Sequence, residues 1–149
     1  MVPGYWQMVS KAHMFVALGL FIAFHFLHGF GNSEPGWAGW VVWSELVDLF
    51  RNSWEQLGDP QTAIIVASFL MCSLLLVTSP FLGCVWRKSL LAWSVATTSS
   101  GLAALGFWIA ILVDPPSTFG SGGICLMLAP LFNFAGLMLA RAGEPHESE

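Results

Sequence analysis

The sequence contains very little charge. Of its 149 residues, five are lysine or arginine and nine are aspartate or glutamate, which together make up 9% of the chain. Soluble domains carry about a quarter charged residues, so this chain lacks the residues that cover a water-exposed surface. Five basic residues are also too few for a phosphate-binding face. The composition therefore disfavours a nucleic-acid-binding protein, a disordered chain and an ordinary cytosolic enzyme.

Apolar residues fill most of the sequence instead. They account for 56% of the chain, and the mean hydropathy is +0.70. A hydrocarbon core about 30 Å thick needs about 20 helical residues. Four uncharged stretches meet that length, so we predict an all-α integral membrane protein with four transmembrane helices. The predicted domain is a single membrane domain, 1–143, with a short acidic tail, 144–149, and its spans cover about 12–31, 60–83, 89–113 and 121–140.

The few basic residues predict the orientation in the membrane. If the four spans alternate in direction, Lys11, Arg87, Lys88 and Arg141 fall on one side and Arg51 falls on the other. Basic residues are enriched on the cytoplasmic side of membrane proteins. We therefore expect a multi-pass protein of the bacterial inner membrane, or of an organellar or plasma membrane, with both termini on the cytoplasmic side.

The connection between the first two spans predicts an amphipathic helix over about 36–57. Its large apolar residues recur at spacings of 3, 4, 3 and 4, which places them on one helical face. Such a stripe usually serves packing, so a lid that lies on the bundle or in the membrane interface is favoured. A docking surface for another subunit, a pigment or a lipid is the alternative. The candidate interface residues are Trp40, Trp43, Val47, Phe50 and Trp54.

Two histidines are the main candidates for chemistry. His25 and His28 are three residues apart in the first predicted span, so they would share a helical face. A neutral imidazole can ligate a haem iron or the magnesium of a chlorophyll, and phenylalanines surround both histidines in sequence. The alternatives are hydrogen bonds to neighbouring helices or headgroups, or a role in metal binding or proton relay. A haem with two histidine ligands would need a second copy or a partner chain.

Small residues in the third span predict close helix packing. Ala96, Ser100 and Ala104 are four residues apart, which lets another helix approach closely. Asn133 in the fourth span is expected to form a hydrogen bond across the bundle.

The predicted topology resembles that of claudin-like tetraspans, which also have inner termini, a longer first outer loop and a short second one. The claudin loop carries a W-GLW-C-C pattern, and residues 32–59 contain no cysteine. The likeness therefore concerns topology alone.

We interpret the chain as a non-catalytic accessory or structural subunit of a larger membrane complex. The expected partners are the lipid bilayer and other membrane subunits or further copies of the chain, without nucleic acid. The second hypothesis is a haem- or chlorophyll-binding subunit of a photosynthetic or respiratory electron-transfer complex, with His25 or His28 as axial ligand. A small transporter or channel ranks last, because the spans contain few polar groups.

Overall fold

The chain is helical throughout the part that the structure describes. The structure is a computed structural model and describes residues 4–27, 38–113 and 120–142. Within these ranges it contains no strand, five α-helices and a short 3-10 helix (Trp54–Gly58), the α-helices being α1 (Tyr5–Phe26), α2 (Ala38–Asn52), α3 (Pro60–Trp86), α4 (Leu90–Val113) and α5 (Ser121–Ala142). The all-α prediction is confirmed for these residues.

Three of the helical segments are long and apolar enough to cross a membrane: Tyr5–Phe26, Thr62–Gly83 and Ser121–Arg141. They correspond to the first, second and fourth predicted spans. The third predicted span is occupied by α4, whose apolar part runs over Leu90–Gly106 among the described residues. The structure thus confirms several helices that are compatible with a membrane.

The ends of the helices reflect local sequence signals. Asp59 caps α3, because its Oδ2 accepts hydrogen bonds from the Thr62 backbone N–H and hydroxyl, each at 2.8 Å. Pro60 follows at the first helical position, where no backbone N–H is needed. The first helix differs from its predicted bounds of 12–31. It begins at Tyr5 and ends at Phe26, because Leu27 adopts an extended conformation.

The first and last helices make the most extensive contact in the bundle. The Ser10 hydroxyl of α1 donates a hydrogen bond of 2.8 Å to the Gly136 carbonyl of α5. A Cβ atom on Gly136 would lie 2.8 Å from Met14 Cγ and 3.0 Å from the Ser10 carbonyl oxygen. The two backbones therefore approach closely because residue 136 has no side chain.

The helices α3 and α5 lie in the middle of the bundle and contact each other. Both of them also contact α1 and α4. The small-residue stripe Ala96, Ser100 and Ala104 is buried, and the Asn133 Nδ2–H of α5 donates to the Ser100 hydroxyl at 2.9 Å. The predicted cross-bundle bond of Asn133 is confirmed, and the stripe is used for packing inside this chain.

Basic residues gather at one end of the bundle. The Trp93 indole N–H donates to the Leu137 carbonyl at 2.8 Å, and the Arg141 guanidinium stacks on the Trp93 ring at 4.7 Å. These contacts place the start of α4 beside the end of α5. The Ser10–Gly136 bond places the start of α1 there as well. The basic residues at this end are Lys11, Arg87, Lys88 and Arg141.

We expect Gly136→Ala to lower the free energy of unfolding by about 1–3 kcal/mol, because the added methyl group overpacks the contact with α1. The measurement is equilibrium unfolding in detergent. Gly19→Ala is the matched control, since a Cβ at Gly19 meets nothing within 4 Å. The control is expected to be neutral or to stabilise by up to about 1 kcal/mol through helix propensity. Equal effects of the two substitutions would contradict the predicted close contact.

Candidate functional site

His25 is hydrogen-bonded through both ring nitrogens. It lies in the last turn of α1 and is half-buried. The Trp43 indole N–H of α2 donates to His25 Nε2 at 2.9 Å, and His25 Nδ1 lies 2.7 Å from the Phe21 carbonyl oxygen. Because Nε2 accepts a hydrogen bond, the proton of the neutral ring lies on Nδ1, which donates to Phe21. His25 therefore links α1 to α2.

The start of α2 rests directly on His25. A Cβ atom on Gly39 would lie 2.6 Å from His25 Cδ2 and 2.7 Å from His25 Cα, so this position requires glycine. Aromatic rings surround the imidazole, with centroid distances of 4.8 Å to Phe21, 5.2 Å to Phe24 and 5.5 Å to Trp40. Two of the phenylalanines near His25 in sequence, Phe21 and Phe24, thus pack against its ring.

This geometry bears on the predicted axial ligands. A metal bond at His25 Nε2 would require Trp43 to give up its hydrogen bond. His28 lies outside the described residues, and α1 ends at Phe26 before reaching it. The shared helical face that the spacing predicts for His25 and His28 therefore lies partly outside the described residues and stays a prediction. Ligation of haem or chlorophyll stays a prediction, and the contacts of His25 favour a structural role.

The second helix, α2, packs on the bundle with a row of residues that lies beside the predicted stripe. Leu46 is buried, and Val42 and Leu49 pack beside it on the core. At about 100° per residue, the centre of the predicted stripe is rotated by about 80° from Leu46. Trp43 alone of the stripe is half-buried, on Phe69. The other four side chains are 43–66% exposed: Trp40, Val47, Phe50 and Trp54.

The predicted helix over 36–57 is also divided. The described part of α2 ends at Asn52, Ser53 interrupts it, and Trp54 begins the 3-10 helix. We name the exposed apolar side chains Trp40, Val47, Phe50 and Trp54 the aromatic flank. The first three lie on one side of α2 beside the buried row around Leu46, and the Trp54 ring of the 3-10 helix lies 6.0 Å from the Phe50 ring.

A cavity of about 890 Å³ lies between α2, α3 and α4, and the buried row around Leu46 forms part of its wall. Its walls are mostly apolar and it is partly open. The lining segments of α3 and α4 lie away from the connection between these two helices. Sequence analysis did not predict it. Representative apolar lining residues are Leu46, Leu49, Ile64, Phe69, Leu102 and Gly106, and the polar residues Glu45 and Gln56 line it from α2 and the 3-10 helix.

The bundle interior contains a small polar cluster between α4 and α5. Asn133 is fully buried and Thr97 is 6% exposed. Asn133 Oδ1 and Thr97 Oγ1 have no hydrogen-bond partner among the described residues, although Asn133 Nδ2 is bound to Ser100. Sequence analysis singled out Asn133 for cross-bundle bonding, and the unpaired oxygens have no signal in the sequence.

Neither a metal centre nor a known relative indicates a chemistry for this arrangement. Among residues 4–27, 38–113 and 120–142, no group of three or more histidine, cysteine or acidic side chains is placed to hold a metal ion. Comparison with protein-family models, curated proteins and solved structures found no match. The functional proposal therefore depends on the geometry of α2 and its surroundings.

We expect Trp43→Phe to loosen α2 from the bundle. The substitution keeps most of the ring packing but leaves His25 Nε2 without its donor, which costs about 1–3 kcal/mol. Hydrogen exchange of the α2 backbone amides measures the change as faster exchange. Trp54→Phe is the control, because Trp54 is 66% exposed. If both variants exchange alike, the Trp43–His25 bond does not hold α2.

The structural role of His25 also predicts the absorbance spectrum. We expect His25→Ala to leave the visible spectrum of the purified protein unchanged while it weakens the attachment of α2. A porphyrin band that is present in the native protein and lost in His25→Ala would instead establish axial ligation. His13→Ala is the control, since the His13 ring bonds within α1 through Nδ1 and the Val9 carbonyl.

Proposed function

We propose that the protein is a non-catalytic subunit of a larger integral-membrane complex, built as a four-helix transmembrane bundle with α2 lying at the outer interface. The aromatic flank of α2 is the observation that carries this proposal. Its four large side chains are 43–66% exposed, three on α2, which is held through His25 and Gly39, and one at the start of the following 3-10 helix. Exposed apolar patches of this kind mark contacts with a protein partner or a membrane.

The outer surface of the bundle supports insertion in a membrane. Large apolar side chains are exposed on α1, α3, α4 and α5, and a helix that is apolar all round is typical of a membrane span. With 24 residues, α4 is about 36 Å long, which is enough to cross the hydrocarbon core. Examples of these exposed side chains are Phe15, Leu74, Phe81, Leu91, Leu105 and Leu112.

The charges support the orientation that was expected from the sequence. The basic end of the bundle would face the cytoplasmic side, with both termini. The opposite end holds α2 and the 3-10 helix, where residues 38–59 contain four acidic residues and one arginine. Such an end suits the outer side of a bacterial inner membrane, or of an organellar or plasma membrane.

The interior polar groups support a non-catalytic role. Ser10, Trp93 and Asn133 each donate a hydrogen bond to another helix, and His25 accepts one. These side chains hold helices together, which is the use that polar residues commonly have inside membrane bundles.

We expect the protein extracted in a mild detergent to run as a complex larger than one chain, and the double substitution Phe50→Ala/Trp54→Ala to weaken that complex. Buried tryptophans at interfaces contribute about 2 kcal/mol or more, so the dissociation constant should rise about thirtyfold. Native mass spectrometry measures the mass and the stoichiometry of the complex.

Leu105→Ala is the matched control, because Leu105 is an exposed apolar residue of α4, 60% exposed and away from α2. It should leave the complex intact. A chain that remains a monomer in every mild detergent, or equal dissociation in the control and the double variant, would contradict the proposal. Unchanged helical content of all variants by circular dichroism excludes unfolding as the cause.

A further inference from the structure

We propose that the cavity between α2, α3 and α4 binds a cationic amphiphile, with one alkyl chain between α3 and α4 and a positively charged head beside Glu45. This ligand site is separate from the aromatic flank, because the buried row and Glu45 line the cavity and none of the four flank side chains does. The inference goes beyond a role in assembly, since it gives the chain a small-molecule ligand.

The size of the cavity favours a small ligand over a protein segment. At about 30 Å³ for each water-sized group, 890 Å³ accommodates about thirty heavy atoms. The volume lies within the range of about 300–1,000 Å³ that is usual for small-molecule pockets. A helix about 10 Å wide would fill it with about two turns, so it is too small for a complete transmembrane helix.

The lining carries its charged group on the α2 side and is otherwise mostly apolar, with Ser68 and Ser99 as further polar residues, which suits an amphiphile. Glu45 and Gln56 line the cavity from α2 and the 3-10 helix. Ile64 and Phe69 of α3 and Leu102 of α4 line the remainder. An alkyl chain in contact with these side chains would place its head at the end where α2 lies.

Charge complementarity selects a cationic head. Among the described residues that line the cavity, Glu45 is the one with a charged side chain. Asp48 is one helical turn further along α2, and Glu55 lies beside Gln56 in the 3-10 helix. These carboxylates attract an amine or a quaternary ammonium group and repel the phosphate of an anionic lipid or the carboxylate of a fatty acid.

The test uses the full-length protein in phosphatidylcholine nanodiscs and two probes with the same photoreactive octadecyl chain. One probe carries a trimethylammonium head and the other a sulfate head. We expect the cationic probe to label cavity-lining segments of α3 and α4 about three- to tenfold more efficiently, as one attractive charge at a partly exposed site provides. Peptide mapping by mass spectrometry locates the label.

Two pairs of variants separate the head from the chain. Glu45→Gln should remove the preference for the cationic probe, whereas Asp48→Asn, on the same helix and outside the lining, should retain most of it. Gly106→Phe should reduce labelling by both probes, because its side chain takes up about a quarter of the cavity. Gly19→Phe is its control: a Cβ at either glycine meets nothing within 4 Å, and Gly19 lies on α1.

Equal labelling by the two probes would overturn the proposal, as would labelling that is as efficient in Gly106→Phe as in Gly19→Phe. If a phosphatidylcholine probe with the same alkyl chain labels the lining as efficiently as the cationic probe, the occupant of the cavity is bulk lipid. If photochemical links form between two copies of the protein at these segments, the cavity is occupied by a dimer contact. Each of these outcomes rejects a cationic amphiphile as the occupant.

Discussion

The bundle depends on the close contact between its first and last helices. The hydrogen bond between Ser10 and Gly136 joins residues that are 126 positions apart in the sequence. Helix α5 also contacts α3 and α4, so fixing α1 on α5 completes the arrangement of the four long helices. If hydrocarbon surrounds such an interface, burying apolar side chains gives little hydrophobic gain. Dispersion contacts between the helices then hold the interface together. Close approach at Gly136 increases those contacts.

The position of α1 determines the position of α2, and through it the candidate sites. His25 stands in the last turn of α1, where it accepts the Trp43 hydrogen bond and supports the Gly39 backbone. With that attachment, α2 directs Leu46 inward, the aromatic flank to one side and Glu45 to the cavity. A rotation of α2 would exchange these surfaces. The imidazole thus helps to orient α2.

The sequence predicts the helices well, because their signals are local. The length of the uncharged stretches and the Asp59–Pro60 start of α3 are signals that act within a few residues. Asn133 carries an amide within an apolar span, which leaves it few hydrogen-bond partners other than a neighbouring helix. The row of α2 that packs on the bundle is harder to predict, because Val42, Leu46 and Leu49 form a second apolar row beside the predicted stripe. Periodicity cannot rank two adjacent rows. The Trp43–His25 bond helps to select between them. The cavity lies between α2, α3 and α4, so it depends on how three helices pack together.

The scarcity of charge gives the charges that remain a larger effect. On α2, Arg51 lies about 120° away from Glu45 around the helix axis, on the side of the aromatic flank. Glu45 lies on the other side and Asp48 lies about 60° from each of them, so the cation of this helix is directed away from the cavity. A neighbouring lysine or arginine would weaken the field of Glu45, and the other described lining residues carry no charge. An electrostatic preference at the cavity therefore depends on the separation of Glu45 from Arg51 around one helix, and the apolar walls reduce the screening of the Glu45 charge.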